Sequence, residues 1–481
     1  MPEEPGFIAE HGLYTAEQQA AAAALPVRVE SDGLRTIRVT WVDQHGVPRA
    51  KFVAPQTFAS ALRAGLDFSG APVSLDSANS VFALAFAEGG GVDVAEMSGF
   101  TDIVLVPDPR TFRVLPWADR TGWVVCDAYF AGGKPHPLDS RGILRRQLAA
   151  AAELGYDYLA GLEIEFFLLR RGHDPIDPRD IGLPSAPPKV GPIDPGFQFL
   201  SEVRLAALSD VLTDLRDALH GVGIPPSSFE QEWGPGQIEV TFPPLRGLDA
   251  ADAAVLFRST VKQVTQQRGL LATFMSWPAL PNLPSSGWHL HQSLTRGEDG
   301  PNAFAGDSEA LSPLARQYAA GILAHARPMT VFTTPTVTGF KRFRPYSFAP
   351  DNVNWAIDNR GAMLRVQGAP GSPATRLENR LGEPSANPYL YLAANIAAGL
   401  DGIRRGLEPP PLAGPDPYAA GGARLPRNLG QAVDLLDQDS FFRTALGSTV
   451  VDYLVRMKRA EWERFQSTVT DWEMREYLEF F

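Results

Sequence analysis

Apolar and polar residues alternate along Thr36-Ile37-Arg38-Val39-Thr40-Trp41-Val42, the period-two pattern of a strand with one buried face. Asp43-Gln44-His45-Gly46 follows, so a hairpin is expected there. Apolar stretches at 102–107 and 122–128 predict further strands, and together these segments define a small strand-rich domain over 28–130. Gly132-Gly133-Lys134-Pro135-His136-Pro137 reads as its boundary. Asp139 or Ser140 is placed to cap a helix running through Leu144, Leu148 and Leu154 and stopping at Gly155. It feeds a strand at 158–169. A second helix and strand are expected at 201–219 and 236–242, after a loop at 172–197 dense in Pro and Gly. Helices are predicted at 250–267 and 387–405, a proline-rich surface loop at 408–426, and a largely helical tail beyond 429.

Several expected strands carry charged or imidazole residues two positions apart: Glu163-Ile164-Glu165, His289-Leu290-His291, Arg342-Phe343-Arg344 and Arg376-Leu377-Glu378-Asn379-Arg380. Strand side chains alternate between faces, so each pair projects to one side and the apolar residue between them to the other. Glu232 and Glu239 flank the turn Gly234-Pro235-Gly236, which returns both acids to one region. Carboxylates among such apolar flanks call for a cation, because unpaired buried charge is costly. The guanidinium forks of Arg342, Arg344, Arg360, Arg365, Arg376 and Arg380 suit carboxylate and phosphate oxygens, so an anionic substrate or a transferring phosphoryl group is expected beside the metal.

The chain of 481 residues carries 43 Lys and Arg against 55 Asp and Glu, a net charge of −12 that argues against sequence-independent nucleic-acid binding. The lone Cys126 excludes an intrachain disulfide framework and a cysteine-rich zinc site, and it fits a cytoplasmic setting. No apolar run reaches membrane length, and Ala20 to Leu25 is too short for a signal or spanning segment. A phosphate-binding GxxxxGK[ST] loop is absent and Gly89-Gly90-Gly91 is no dinucleotide fingerprint, so a nucleotide here must be held through metal and arginine. HxH on a strand also occurs in metal-dependent hydrolases, which keeps an amidohydrolase open as a different class, although the 8 histidines supply no second ligand set.

In order along the chain, Glu163-Ile164-Glu165-Phe166-Phe167-Leu168, Glu232 with Gly236-Gln237-Ile238-Glu239, Gly287-Trp288-His289-Leu290-His291-Gln292-Ser293-Leu294, Lys341-Arg342-Phe343, Asn359-Arg360, Arg365, Arg376 to Arg380 and Ala386-Asn387-Pro388-Tyr389-Leu390 resemble the motifs of the glutamine synthetase superfamily. The resemblance implies an α+β fold, with a small N-terminal β-grasp-like domain and a large catalytic domain over 137–481 whose curved antiparallel sheet is flanked by helices. It makes Glu165, Glu232 and Glu239 ligands of one Mg2+ or Mn2+, and Glu163, His289 and Glu378 ligands of a second. His291, Arg360, Arg365 and Arg376 are placed at ATP, and Arg342 and Arg380 at glutamate. Arg342, Arg360 and Glu378 are the catalytic set. The implied chemistry is ATP-dependent: the γ-carboxylate of glutamate takes the γ-phosphoryl group, and an amine then displaces phosphate. Stacked hexameric rings with active sites between subunits are implied as well.

The departures from ammonia-using members cluster at the nitrogen nucleophile. Phe348 in Tyr346-Ser347-Phe348-Ala349-Pro350 stands where the resemblance expects a flap glutamate, and Ser69 where it expects the ammonium-binding aspartate. Pro284-Ser285 replaces Asn-Gly, leaving Ser285 or Ser286 to meet the amino end of glutamate. Trp277 and Trp288 are candidates, with Phe348, for an aromatic wall. The expectation is a γ-glutamylamide ligase for an apolar or aromatic amine, aniline-like or alkyl. The alternatives are a polyamine or ethanolamine ligase, ordinary glutamine synthetase and a non-catalytic relative. Tyr418 is the nearest candidate for a regulatory tyrosine.

Overall fold

A computed structural model describes residues 6–84, 86–172, 176–297 and 300–481. Part of the expected 172–197 loop, residues 173–175, lies outside the described residues.

The first sheet is built from β1 (Thr36–Val42), β2 (Pro48–Val53), β3 (Leu66–Phe68), β4 (Ile103–Pro107), β5 (Arg113–Val114) and β6 (Thr121–Tyr129) in the order β2-β1-β6-β4-β3, with β5 also on β6. The expected hairpin is the antiparallel β1–β2 pair, and β1 runs parallel to β6. The second, ten-stranded sheet contains β7 (Tyr156–Arg171), β8 (Val190–Pro192), β9 (Ser228–Gln231), β10 (Gln237–Thr241), β11 (Leu245–Arg246), β12 (Leu270–Thr273), β13 (Trp288–Arg296), β14 (Trp355–Ile357), β15 (Leu364–Gln367) and β16 (Arg376–Asn379). Its path is β14-β15-β16-β13-β7-β10-β9, antiparallel apart from β14 on β15, and β8, β11 and β12 also pair with the long β7.

One face of this sheet is apolar. Leu162, Ile164, Phe166, Ile238, Val240, Leu290 and Leu377 are buried there, each fully buried Ile, Leu or Phe being worth roughly 1.5–3 kcal/mol. The helices Ser140–Ala152 and Gly247–Gln267 pack on β7 and on the helix Pro388–Arg405, which runs along Pro313–Thr333. The last two approach closely because Gly321 and Gly402 meet at the crossing: a Cβ on Gly321 would fall 2.0 Å from the Ala398 carbonyl oxygen. No described helix is long and apolar enough to cross a membrane.

Sequence patterning missed four helices among the described residues: Phe7–Glu10, Ala16–Ser31, Pro55–Ala64 and Pro313–Thr333. Two carried a readable start, the Thr15–Gln18 capping box and the Ser312 cap before Pro313. The expected helix at 201–219 is broken into Glu202–Ala206 and Ser209–Gly221. Arg342-Phe343-Arg344 is not a strand. Gly339–Arg342 forms a 3-10 turn, and Arg344 stacks its guanidinium 4.4 Å from the centre of the Trp277 ring.

Polar contacts bind the two sheets into one body. Asp139 caps the helix Ser140–Ala152 through Gly142 N–H and accepts from Trp41 Nε1–H at 3.2 Å. Burial, reinforced by the charge of Asp127, pushes its carboxyl up to about 7. A carboxyl raised in the folded state binds its proton more tightly there than in the unfolded chain, so folding loses stability as pH rises from about 4 to about 7. Asn keeps the cap and the tryptophan acceptor without the charge. Asp139→Asn is therefore expected to raise the Tm at pH 8 and to leave it unchanged near pH 4; a variant less stable at both pH values refutes this account.

Candidate active site

The opposite face of the second sheet lines a funnel of about 1550 Å³. Strand register assembles it. Glu163 on β7 stands opposite His289 on β13, Glu165 opposite Glu239 on β10, and His291 opposite Glu378 on β16. Arg365 on β15 pairs with Glu378. Paired residues point to the same face, so residues spread from 163 to 378 converge in the middle of one cavity. At the β7–β10 end the funnel is lined by Phe199, Leu200, Trp233, Pro284, Ser285 and Phe348; at the other, by Phe242, Arg246, Thr295, Asn302, Gln367 and Thr375. Two mouths with an acidic waist between them suit two substrates that meet at the middle.

At the waist His289 Nδ1 lies 2.5 Å from Glu163 Oε1 and His291 Nε2 lies 3.0 Å from Glu163 Oε2. Ligand atoms gather within 4.8 Å of one another in two groups, Glu163–Glu239–His289 and Glu163–His291–Glu378, with Glu163 common to both. Gln237 donates to Glu165 at 2.7 Å and to Ser286 Oγ at 3.0 Å, fixing that carboxylate from behind. Glu232 accepts from Trp233 N–H at 3.2 Å at the rim.

The carboxylates are not electrostatically balanced by the protein. Burial, then the charge of Glu232, pushes Glu165 up to about 8. Burial together with Glu163, Glu165 and Glu232 pushes Glu239 up to about 10, and burial raises Glu232. Burial works against ionisation of Glu163 as well, but His289 and His291 outweigh it and hold its carboxyl far below the usual range. In Glu378 the same penalty is outweighed chiefly by Arg380 and His289. His289 is itself lowered by burial and by Arg380, which keeps its imidazole neutral and able to bind a metal. Crowded carboxylates with a neutral imidazole and no lysine among them form a donor set that fits Mg2+ or Mn2+.

Guanidiniums surround the waist. Arg380 donates to Glu378 and to the Phe348 carbonyl, Arg365 donates to Glu378 at 3.0 Å and to Asp358, and Arg376 donates to His291 Nδ1 at 3.2 Å. Arg342, almost fully buried, donates to the Leu381 carbonyl, and Arg360 lines the cavity wall.

Three expected site residues are elsewhere. Trp288 is fully buried on the apolar face, its ring 5.0 Å from that of Tyr391, because it is one residue from His289 and the strand alternates. Ser69 is exposed on the first sheet's domain, accepting from Ala71 N–H, and every residue lining this chain's funnel falls between 159 and 380. Trp277 donates to the Leu283 carbonyl and carries Arg344 on its face, outside the funnel lining. Tyr418 is half-buried, its hydroxyl donating to the Ala349 carbonyl and its ring 5.0 Å from Tyr346, so it braces the loop that carries Phe348. Phe199, Arg246, Gln367 and Thr375 line the funnel without any sequence signal beyond the loops and strand ends that hold them. Trp233 was visible only as part of its segment.

Residues 137–477 match the family model "Glutamine synthetase, catalytic domain". The chain is 39% identical to a gamma-glutamylanilide synthase from Acinetobacter sp over 99% of each chain. It is 33% identical to a glutamine synthetase of Methanococcus maripaludis over 94% of this chain and 97% of the other. Among solved structures it resembles an apo GmaS (TM-score 0.79, 31% identity, 95% of this chain and 99% of that one) and a GmaS/ADP complex (TM-score 0.80, 30% identity, 94% and 99%). Sheet, acidic waist and likeness agree, and the chain belongs to the glutamine synthetase family, as an ATP-dependent ligase that forms carbon–nitrogen bonds.

Proposed function

We propose that this protein joins the γ-carboxylate of glutamate to an apolar primary amine, an arylamine foremost, to give a γ-glutamylamide. The observation that carries this reading is Phe348 at the mouth of the funnel, where ammonia chemistry asks for a carboxylate. An ammonium ion must lose a proton before it attacks. The nitrogen lone pair of an arylamine is delocalised into its ring, so the amine is already unprotonated at neutral pH and needs no base to deprotonate it before it attacks. The full-length relative named as an anilide synthase supports the same choice.

Arg342 and Arg380 hold the carboxylates of glutamate, and Arg360, Arg365, Arg376 and His291 hold the phosphates of ATP. By the family resemblance Glu165, Glu232 and Glu239 would hold one divalent ion and Glu163, His289 and Glu378 a second, while the ligand atoms that lie nearest one another here are those of Glu163–Glu239–His289 and Glu163–His291–Glu378. Ions held there would supply charge neutralisation around the phosphate oxygens. The γ-carboxylate oxygen bonds to the γ-phosphorus as the bond to ADP breaks. The amine nitrogen then bonds to the acyl carbon, phosphate leaves with its bonding pair, and the surplus N–H proton passes to a phosphate oxygen. Ser69, which does not line this chain's own funnel, would meet an amine only in the funnel of a neighbouring subunit, as the stacked hexameric rings implied by the family resemblance would place it.

Phosphate release with ATP, glutamate and a panel of aniline, methylamine, ethanolamine, putrescine and ammonium tests the reading. Aniline is expected to give the highest kcat/KM, flat from pH 7 to 9, whereas kcat/KM for methylamine rises about tenfold per pH unit as its ammonium deprotonates. Ammonium turnover equal to that of aniline sinks it.

A further inference from the structure

We infer that Trp233, Phe199 and Phe348 form the subsite for the aromatic ring of the amine, with Phe197 as the buttress that holds Trp233 in place. This rests on the amide-ligase reading and names its specificity determinant. Trp233 is 54% exposed, Phe199 51% and Phe348 74%, and all three line the same mouth of the funnel. Uncovered aromatic faces of this size at a cavity rim match a flat apolar group.

The wall is fixed in position. The Phe197 ring meets Trp233 edge-on at 6.2 Å, and Phe197 N–H donates to the Trp233 carbonyl at 2.8 Å. Leu200 N–H donates to the Gln231 carbonyl at 3.1 Å. The Asp194 carboxylate accepts from Gly196 N–H at 2.6 Å and from Gly236 N–H at 2.7 Å, tying the loop to the β9–β10 turn. On the facing loop, Tyr418 and Arg380 hold the carbonyls of Ala349 and Phe348.

Backbone conformation points the same way. Phe197, Leu200, Tyr346 and Phe348 have φ of 59°, 54°, 58° and 58°, a left-handed region that bulky residues rarely adopt. Such strain of about 1–3 kcal/mol per residue persists where the surroundings enforce it, and it concentrates at binding sites. Each of the two strained loops contributes an aromatic residue to the funnel lining, Phe199 from one and Phe348 from the other. Of the mouth residues and their chain neighbours, Glu232 is the acid beside Trp233, and Glu230, which also lines the funnel, stands opposite Glu239 on β10. Trp233 follows Glu232 directly, so a ring on its face puts an attached nitrogen beside the acidic waist.

The test compares W233A, W233F and F199A with the parent enzyme, reading kcat/KM for aniline and for methylamine, KM for glutamate and ATP, and Tm. W233A and F199A are each expected to lower the aniline-to-methylamine ratio by about tenfold, with KM for ATP within about twofold of the parent. W233F is expected to hold the ratio within about threefold. If W233A does not fold, F199A decides. An unchanged ratio in folded variants, or a rise in KM for ATP instead, overturns the inference. A parent enzyme that prefers aniline while the variants keep its ratio brings down the subsite alone; a parent that prefers ammonium brings down the subsite and the reading together.

Discussion

Glu239→Gln is expected to lower ATP-dependent amide formation by on the order of 10³-fold while the protein still folds. Glu239 belongs to the Glu163–Glu239–His289 group, where its ligand oxygen lies within 4.8 Å of the others. Gln has the same shape and keeps a carbonyl oxygen, but it brings no negative charge to an ion. Without metal, the parent protein crowds Glu239 against Glu163, Glu165 and Glu232, and its carboxyl is pushed up to about 10. At neutral pH folding without metal must therefore protonate this carboxyl, a cost that a neutral amide does not carry, so the metal-free variant is expected to be at least as stable as the metal-free parent. The stabilisation that Mg2+ or Mn2+ gives the parent should shrink in the variant. Thermal unfolding with and without metal, alongside steady-state phosphate release, separates the two effects. A variant with a tenth or more of the parent's turnover would remove Glu239 from the ion site.

Arg141→Ala is expected to cost about 3–5 kcal/mol of stability. The side chain is 2% exposed and donates to both oxygens of Asp252 at 3.0 and 2.8 Å, to Asp127 at 2.9 Å and to Asp108 at 2.9 Å. Asp108 and Asp127 lie in the first sheet's domain, whereas Asp252 caps no strand and sits on the helix Gly247–Gln267 of the catalytic part, where Tyr389 also donates to it at 2.6 Å. Burial opposes ionisation of Asp108, yet Arg141 and Arg110 outweigh it and hold its carboxyl well below the usual range. Taking away the cation leaves Asp252 with the Tyr389 hydroxyl, while Asp108 keeps Arg110 and Asp127 keeps Arg145, so the buried charge that spans the contact between the two sheets loses its shared partner. The loss should appear as a lower Tm with early separation of the N-terminal domain, read by limited proteolysis around residues 130–137. An unchanged Tm would show that the cluster is not what joins the domains.

Much of the site was legible along the chain because its pattern is local. ExE at 163–165 and HxH at 289–291 specify their faces through the two-residue period, which depends on nothing beyond the strand itself. The same rule places Trp288 away from the funnel, since it neighbours His289, so that error was correctable from sequence. Arg342-Phe343-Arg344 failed differently: the spacing is that of a strand, but the backbone there is a 3-10 turn, and Arg344 leaves the site for Trp277. The helix Pro313–Thr333 was overlooked despite its cap: it packs along Pro388–Arg405, and Pro328 within it reads locally as a helix breaker.

The sequence by itself determined the reaction: acids, imidazoles and arginines in ordered motifs specify a two-faced sheet and a phosphoryl-transfer site, and side-chain alternation is enough to aim them. Only the tertiary structure added Trp233 and Phe199 to the funnel lining that also holds Phe348, a residue already singled out along the chain. Trp233 and Phe199 sit on a turn and a loop with no period to read, and the pairing of β9 with β10 and the Phe197–Trp233 contact bring their segments together. Faces follow from local geometry, whereas loop-to-loop neighbours depend on strand register between segments far apart in the chain.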